Sequence, residues 1–182
     1  MRWVFFPLHP ETSSSGRALE ELFAGRGGYD LEAMYERMHG LMAQEGLAYG
    51  RRTHTYNSRL AQELATWAAA RPERDRLHDL IYRAYFVDGR NIGDVAVLAD
   101  LAATAGLPAD ETRAVLQGRT SSDAVDDDWA LASRSGITGV PTFAAGARQV
   151  VGAQPEPVLR QLLEAAGAQP SDTPPRPTAP SG

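Results

Sequence analysis

The 182 residues carry 43% hydrophobic side chains, enough for one cored domain or for one domain with a sizeable insertion. A net charge of −5 and a pI near 5.4 supply no electrostatic footprint for nucleic acid or an anionic membrane. The absence of cysteine and lysine removes thiolate nucleophiles, disulfides, soft-metal sites and Schiff-base chemistry from these residues. No apolar run approaches the roughly 20 residues that span a bilayer. Arg2 to Phe6 is too short for a secretory signal, so the cytoplasm is the default location.

Arg2-Trp3-Val4-Phe5-Phe6 is aromatic and β-branched, ends at Pro7, and reads as a strand. Leu8 to Thr12 is a proline-broken loop. Asp30 caps a predicted helix with Leu31, Met34, Tyr35, Met38, Leu41 and Met42 on one face, stopping at Gly46. That face reads as core, or as the adaptable wall of a substrate groove. Ser58 is placed to cap a second helix carrying Leu60, Leu64 and Trp67. Pro72 is placed to begin a third, with Leu77, Leu80, Ile81, Ala84 and Tyr85 inward and Gly89 as its stop. Asp94 opens a fourth that closes at Gly106, and Pro108 a fifth running to about Gln117.

Ser121 or Ser122 starts a further helix whose early carboxylates, Asp123 and Asp126 to Asp128, complement the helix dipole. The acidic run lacks the spacing and glycine of a calcium loop, so a solvated helix start is the preferred reading. Gly136 ends this helix. Thr142 to Ala144 and Gln149 to Val151 then form a predicted hairpin, and Pro155 or Glu156 opens the last helix. Residues 168–182 hold five prolines among small and polar residues and read as a disordered tail.

Gly136-Ile137-Thr138-Gly139-Val140-Pro141-Thr142-Phe143 is the most informative stretch. A tertiary amide lowers the trans preference to about 0.5–1 kcal/mol, which opens Val140-Pro141 to the cis form. This segment resembles the cis-proline loop of thioredoxin-like proteins of the DsbA and FrnE type. Arg2 to Glu11 looks like that family's second strand and its exit loop. Ala84-Tyr85-Phe86-Val87-Asp88-Gly89-Arg90-Asn91-Ile92-Gly93-Asp94 is similar to its helix-to-helix junction. The resemblance covers Arg2 to about Ala166.

It implies an α/β, thioredoxin-like fold with an all-helical insertion domain, the first β-α unit being absent. The implied layout is 1–29 and 119–167 as two segments of the thioredoxin-like part, 30–118 as the insertion and 168–182 as the tail. It implies a thiol–disulfide oxidoreductase or isomerase by lineage, without its Cys-x-x-Cys pair. Two alternatives stay open: a glutathione-dependent isomerase or transferase, and a non-catalytic peptide- or partner-binding module. The implied partners are a protein or peptide substrate, or glutathione as co-substrate, with no nucleic acid, membrane, metal or resident cofactor.

The family's strand between Arg2–Phe6 and Thr142–Ala144 has no counterpart here. Unmade buried hydrogen bonds cost about 1–3 kcal/mol each, against a total stability of about 5–15 kcal/mol. The expectation is therefore a sequence record shortened at its N-terminus; the competing expectation is a partner or second copy, as in a homodimer, that closes the sheet.

No catalytic residue is assigned, because no thiol is present. In the family, backbone groups beside the cis-proline pair with substrate, which makes Val140, Pro141 and Thr142 substrate-binding candidates. His9, in the loop after the first predicted strand, is the fourth. His39, His54 and His78 are scattered without metal spacing. Ser13 to Ser15 lack the context of a nucleophile. Asn57 and Asn91 sit at helix junctions, where capping is the preferred role.

Overall fold

A computed structural model describes residues 2–24 and 30–169. The tail expected over 168–182 lies, from residue 170 on, outside the described residues. The chain forms two compact units, residues 1–135 and 136–182.

The first unit holds β1 (Arg17–Ala18), α1 (Leu19–Phe23), α2 (Leu31–Gln44), β2 (His54–Thr55), α3 (Arg59–Ala68), α4 (Arg74–Phe86), α5 (Val95–Ala105), α6 (Ala109–Gly118) and α7 (Ser122–Arg134). The second holds β3 (Thr142–Ala145), β4 (Arg148–Val151) and α8 (Glu156–Ala165). No sequence signal announces β1, α1 or β2. β1 and β2 pair antiparallel over two residues, Arg17 with Thr55 and Ala18 with His54, too short a ladder to leave a periodic signal.

The core of the first unit is helical. Leu64, Leu77, Leu98 and Val125 are fully buried, each contributing about 1.5–3 kcal/mol through burial. Asp94 accepts from the backbone N–H groups of Ala96 and Val97, and Gly106 closes α5 at φ 100°, as the sequence predicts. α4 begins at Arg74, two residues beyond Pro72. α3 departs further from expectation. Ser58 makes no capping bond; the Asn57 side chain accepts from the Arg59 N–H instead.

Three expectations are corrected here. Arg2–Phe6 is not a strand: no described segment pairs with it, and β-forming side chains cannot make a ladder alone. Its anchor is α7, where Asp128 accepts from the Phe5 N–H at 3.0 Å and from Arg2 at 2.8 Å. Asp128 is buried, and Asp126 accepts from Arg59 at 2.6 Å, so two of the three consecutive carboxylates are tethers rather than a solvated helix start. Finally, the apolar face of α2 is not core. No residue of that helix is fully buried, and Met34, Met38 and Leu41 are 43%, 42% and 48% exposed. Tyr35, stacked on Tyr49, and Met42, which accepts from the Tyr82 hydroxyl, hold it to the rest of the unit.

α3 is the hub of the first unit's polar interior. Glu63 is 1% exposed and accepts from Arg59 at 2.6 Å and from two nitrogens of Arg119 at 2.6 Å. Arg59 also donates to the Ser122 carbonyl and stacks on Trp129, whose indole donates to Gln62. Arg119 adopts φ 51° at the end of α6, a left-handed conformation uncommon outside glycine. Burial pushes the Glu63 carboxyl up, but the hydrogen bonds and charges of Arg119 and Arg59 outweigh it and hold the group below the usual range.

Candidate functional site

Val140, Pro141 and Thr142 lie where the second unit turns into its sheet. The Val140-Pro141 peptide bond is cis. Thr142 donates its hydroxyl to the Gly139 carbonyl at 2.7 Å, closing the turn from within. The Pro141 carbonyl accepts from the Gly152 N–H at 2.8 Å, so the β3–β4 hairpin zips from Ala145–Arg148 back to this point. α8 packs on both strands. β4 covers one edge of β3; no described residue pairs with the other. Neither peptide group of Val140 makes a hydrogen bond among the described residues, and its side chain is 50% exposed. The open edge therefore runs from Val140 through Ala145.

His9 belongs to the first unit. It adopts φ 55°, a region tolerated by His more than by most residues, and its Nδ1 lies 3.4 Å from Glu11. The loop behind it is clamped by two side chains that sequence reasoning treats as caps. Asn57 donates to the carbonyls of Pro10 at 3.1 Å and Thr12 at 2.9 Å, while Asn91 donates to the Ser14 carbonyl at 2.7 Å. Each amide oxygen still accepts locally, from Arg59 N–H and Gly93 N–H, so both roles are filled at once. Gly93 sits so close that an added Cβ would lie 2.9 Å from the Asn57 carbonyl oxygen. Asn57→Ala should cost about 1–2 kcal/mol through two carbonyls left without a donor. Amide exchange in residues 9–14 should quicken with it; unchanged exchange there would show that the loop is held by other means.

His9 also lines a cavity of about 1020 Å³ shared with α1, α2 and the β1–β2 ladder. Arg51, Arg52 and His54 line it too, none of which has a motif to announce it. Among the other histidines, His39 packs beside Tyr35, and His78 is partly buried. Burial, with Arg74 beside it, holds the His78 imidazole below its usual range. Among the described residues no group of His, Asp and Glu is arranged to hold a metal ion, and no helix is long and apolar enough to cross a membrane.

A helical block in the first unit, followed in the second by a cis-proline turn, β-hairpin and closing helix, defines a thioredoxin-like α/β architecture with a large helical insertion. The chain belongs to the DSBA-like thioredoxin domain family, whose model matches residues 1–164. It is similar to the structure of a probable DsbA oxidoreductase from Streptomyces coelicolor, at 31% identity and a TM-score of 0.81 over 97% of this chain and 78% of that one. Two further structures share the fold alone. One is a 2-hydroxychromene-2-carboxylate isomerase, at 16% identity and a TM-score of 0.57 over 86% of this chain and 77% of that one. The other is the cytosolic disulfide reductase DsbM from Pseudomonas aeruginosa, at 24% identity and a TM-score of 0.51 over 72% and 69%. A comparison with curated proteins found no match. The lineage is that of DsbA, yet these 182 residues carry no cysteine and perform no dithiol chemistry.

Proposed function

We propose that this chain binds extended polypeptide, or the tripeptide glutathione, along the Val140–Ala145 edge. This is the substrate-holding role of a thiol–disulfide oxidoreductase or isomerase, kept on a chain without thiols. The open edge of β3, continued through the unpaired peptide groups of Val140, carries the reading. An incoming strand would exchange backbone hydrogen bonds with that edge, which gives affinity with little dependence on side chains. Val140 and Thr142 frame the entry: the first offers a half-exposed apolar surface, and the second holds the turn through Gly139. His9 lies in the other unit, on its cavity wall, and the peptide reading does not rest on it.

Calorimetric titration with a short extended peptide, its cysteines alkylated, tests this reading. The peptide should bind, and N-methylation of alternate backbone amides should abolish binding. Glutathione should compete if it uses the same edge. Equal binding by the N-methylated peptide would overturn the proposal, because backbone pairing would then contribute nothing.

A further inference from the structure

We infer that the cavity in the first unit is a binding site for a small amphipathic carboxylate, with Arg52 as the anion anchor. The inference is independent of the β3 edge, which lies in the other unit. Arg51 and Arg52 are adjacent yet differently placed. Arg51 is neutralised by Glu32, both of whose carboxylate oxygens accept from it, and lies over the Tyr35 ring. Arg52 has no carboxylate partner and no hydrogen bond among the described residues. Its Nε is shut away from solvent without an acceptor.

Its guanidinium lies 4.5 Å from the Tyr85 ring centroid and 4.9 Å from that of Phe86. Two aromatic faces thus hold a planar, permanently charged group in place at the cavity wall, with little entropy left to lose when an anion arrives. A buried donor without an acceptor is costly to keep, and a carboxylate at this guanidinium would supply the missing countercharge. Beside it, His54 engages Thr53 through Nδ1 at 2.9 Å and keeps Nε2 free of that bond.

Much of the remaining lining is apolar. Leu19, Leu22, Met34 and Met38 supply it, with Tyr35 and Tyr49. The exposed methionines of α2 have the pliable side chains that conform to a hydrocarbon body. Three carboxylates also line the cavity, and they do not cancel Arg52. Glu32 is taken by Arg51, Asp30 accepts from the Glu32 and Ala33 N–H groups as the cap of α2, and Glu20 is exposed on the first turn of α1. A volume of about 1020 Å³ is at the upper end of small-molecule sites, which run to roughly 1,000 Å³, so a small amphipathic ligand fits.

Decanoate and decanol, one hydrocarbon body with and without the charge, test the assignment by calorimetry on the whole chain. Decanoate should bind about tenfold tighter than decanol or better. Arg52→Gln should weaken decanoate by about tenfold or more while changing decanol less than about twofold. Met38→Glu, at a 42%-exposed position on a helix with no fully buried residue, should weaken both, and it decides the matter if Arg52→Gln fails to fold. Failure of decanoate to bind, equal binding of decanol, or indifference to both substitutions would overturn the inference. So would capture of a peptide by this cavity in place of decanoate.

Discussion

Replacing Glu63 with alanine should lower the stability of the chain by about 3 kcal/mol, the low end for breaking a buried ion pair. Glu63 is 1% exposed and is the carboxylate at which Arg59 and Arg119 meet. Removing it leaves Arg59 with Asp126 as its remaining carboxylate beside the Ser122 carbonyl, and Arg119 with no carboxylate among its hydrogen-bond partners. Arg119 is half exposed and regains water, which is why the loss sits at the low end. For a chain of this length the melting temperature should fall by about 6–12 °C.

The pH dependence follows from the same residue. Glu63 has a depressed pKa in the folded state, so its contribution is present above the unfolded value and is lost as pH falls through the folded one. Wild type should therefore lose stability on acidification below about pH 4.5, whereas Glu63→Gln should show a shallower loss over the same range. Urea midpoints measured between neutral pH and pH 3 read both effects. Parallel curves for the two proteins would show that the Arg59–Glu63–Arg119 network is not linked to folding.

Gly50→Ala should be comparably damaging for a different reason. The backbone there is pressed against the end of α4, with the Gly50 N–H donating to the Phe86 carbonyl at 2.8 Å. An added Cβ would lie 1.9 Å from the Val87 carbonyl oxygen and 2.8 Å from its carbon. Both are backbone atoms at a helix end and cannot swing aside as a flexible side chain would. A cost of about 3 kcal/mol, the upper part of the overpacking range, is expected. The same shift would lift Tyr49, Arg51 and Arg52 away from the aromatic group of Tyr35, Tyr85 and Phe86. Near-ultraviolet circular dichroism should report that loss alongside the melt. Gly40→Ala, inside α2 with nothing within 4 Å of the new Cβ, is the control and should hold or raise stability. If the two alanine variants melt alike, the close approach at Gly50 is not what holds the segment.

The helices were legible where a local signal and burial agree. Asp94 and Gly106 bound α5 because a capping carboxylate and a left-handed glycine act within one turn of the residues they serve. The hairpin after Pro141 was legible for the same reason, its strands separated by a tight turn. Arg2–Phe6 misled because β-propensity describes side chains, while a strand needs a second segment to pair with. The periodicity of Met34, Met38 and Leu41 correctly marked a helix but could not say whether anything covers its apolar face.

Of the proposed sites, Val140 to Thr142 stood out through a contiguous motif. Arg52 and His54 did not, because their setting is built by residues distant in the chain such as Tyr85, and one arginine looks like any other in a chain rich in them. The Asn57 and Asn91 clamps reach back 47 and 77 residues, so the sequence could show only their local capping role.

Hydrogen exchange across the whole chain, with and without the alkylated extended peptide, tests strand addition at β3 directly. Exchange should slow at Val140, Thr142 and Ala144, whose N–H groups face away from β4 on the edge that would gain a strand. Binding that leaves those amides unprotected would contradict strand addition there.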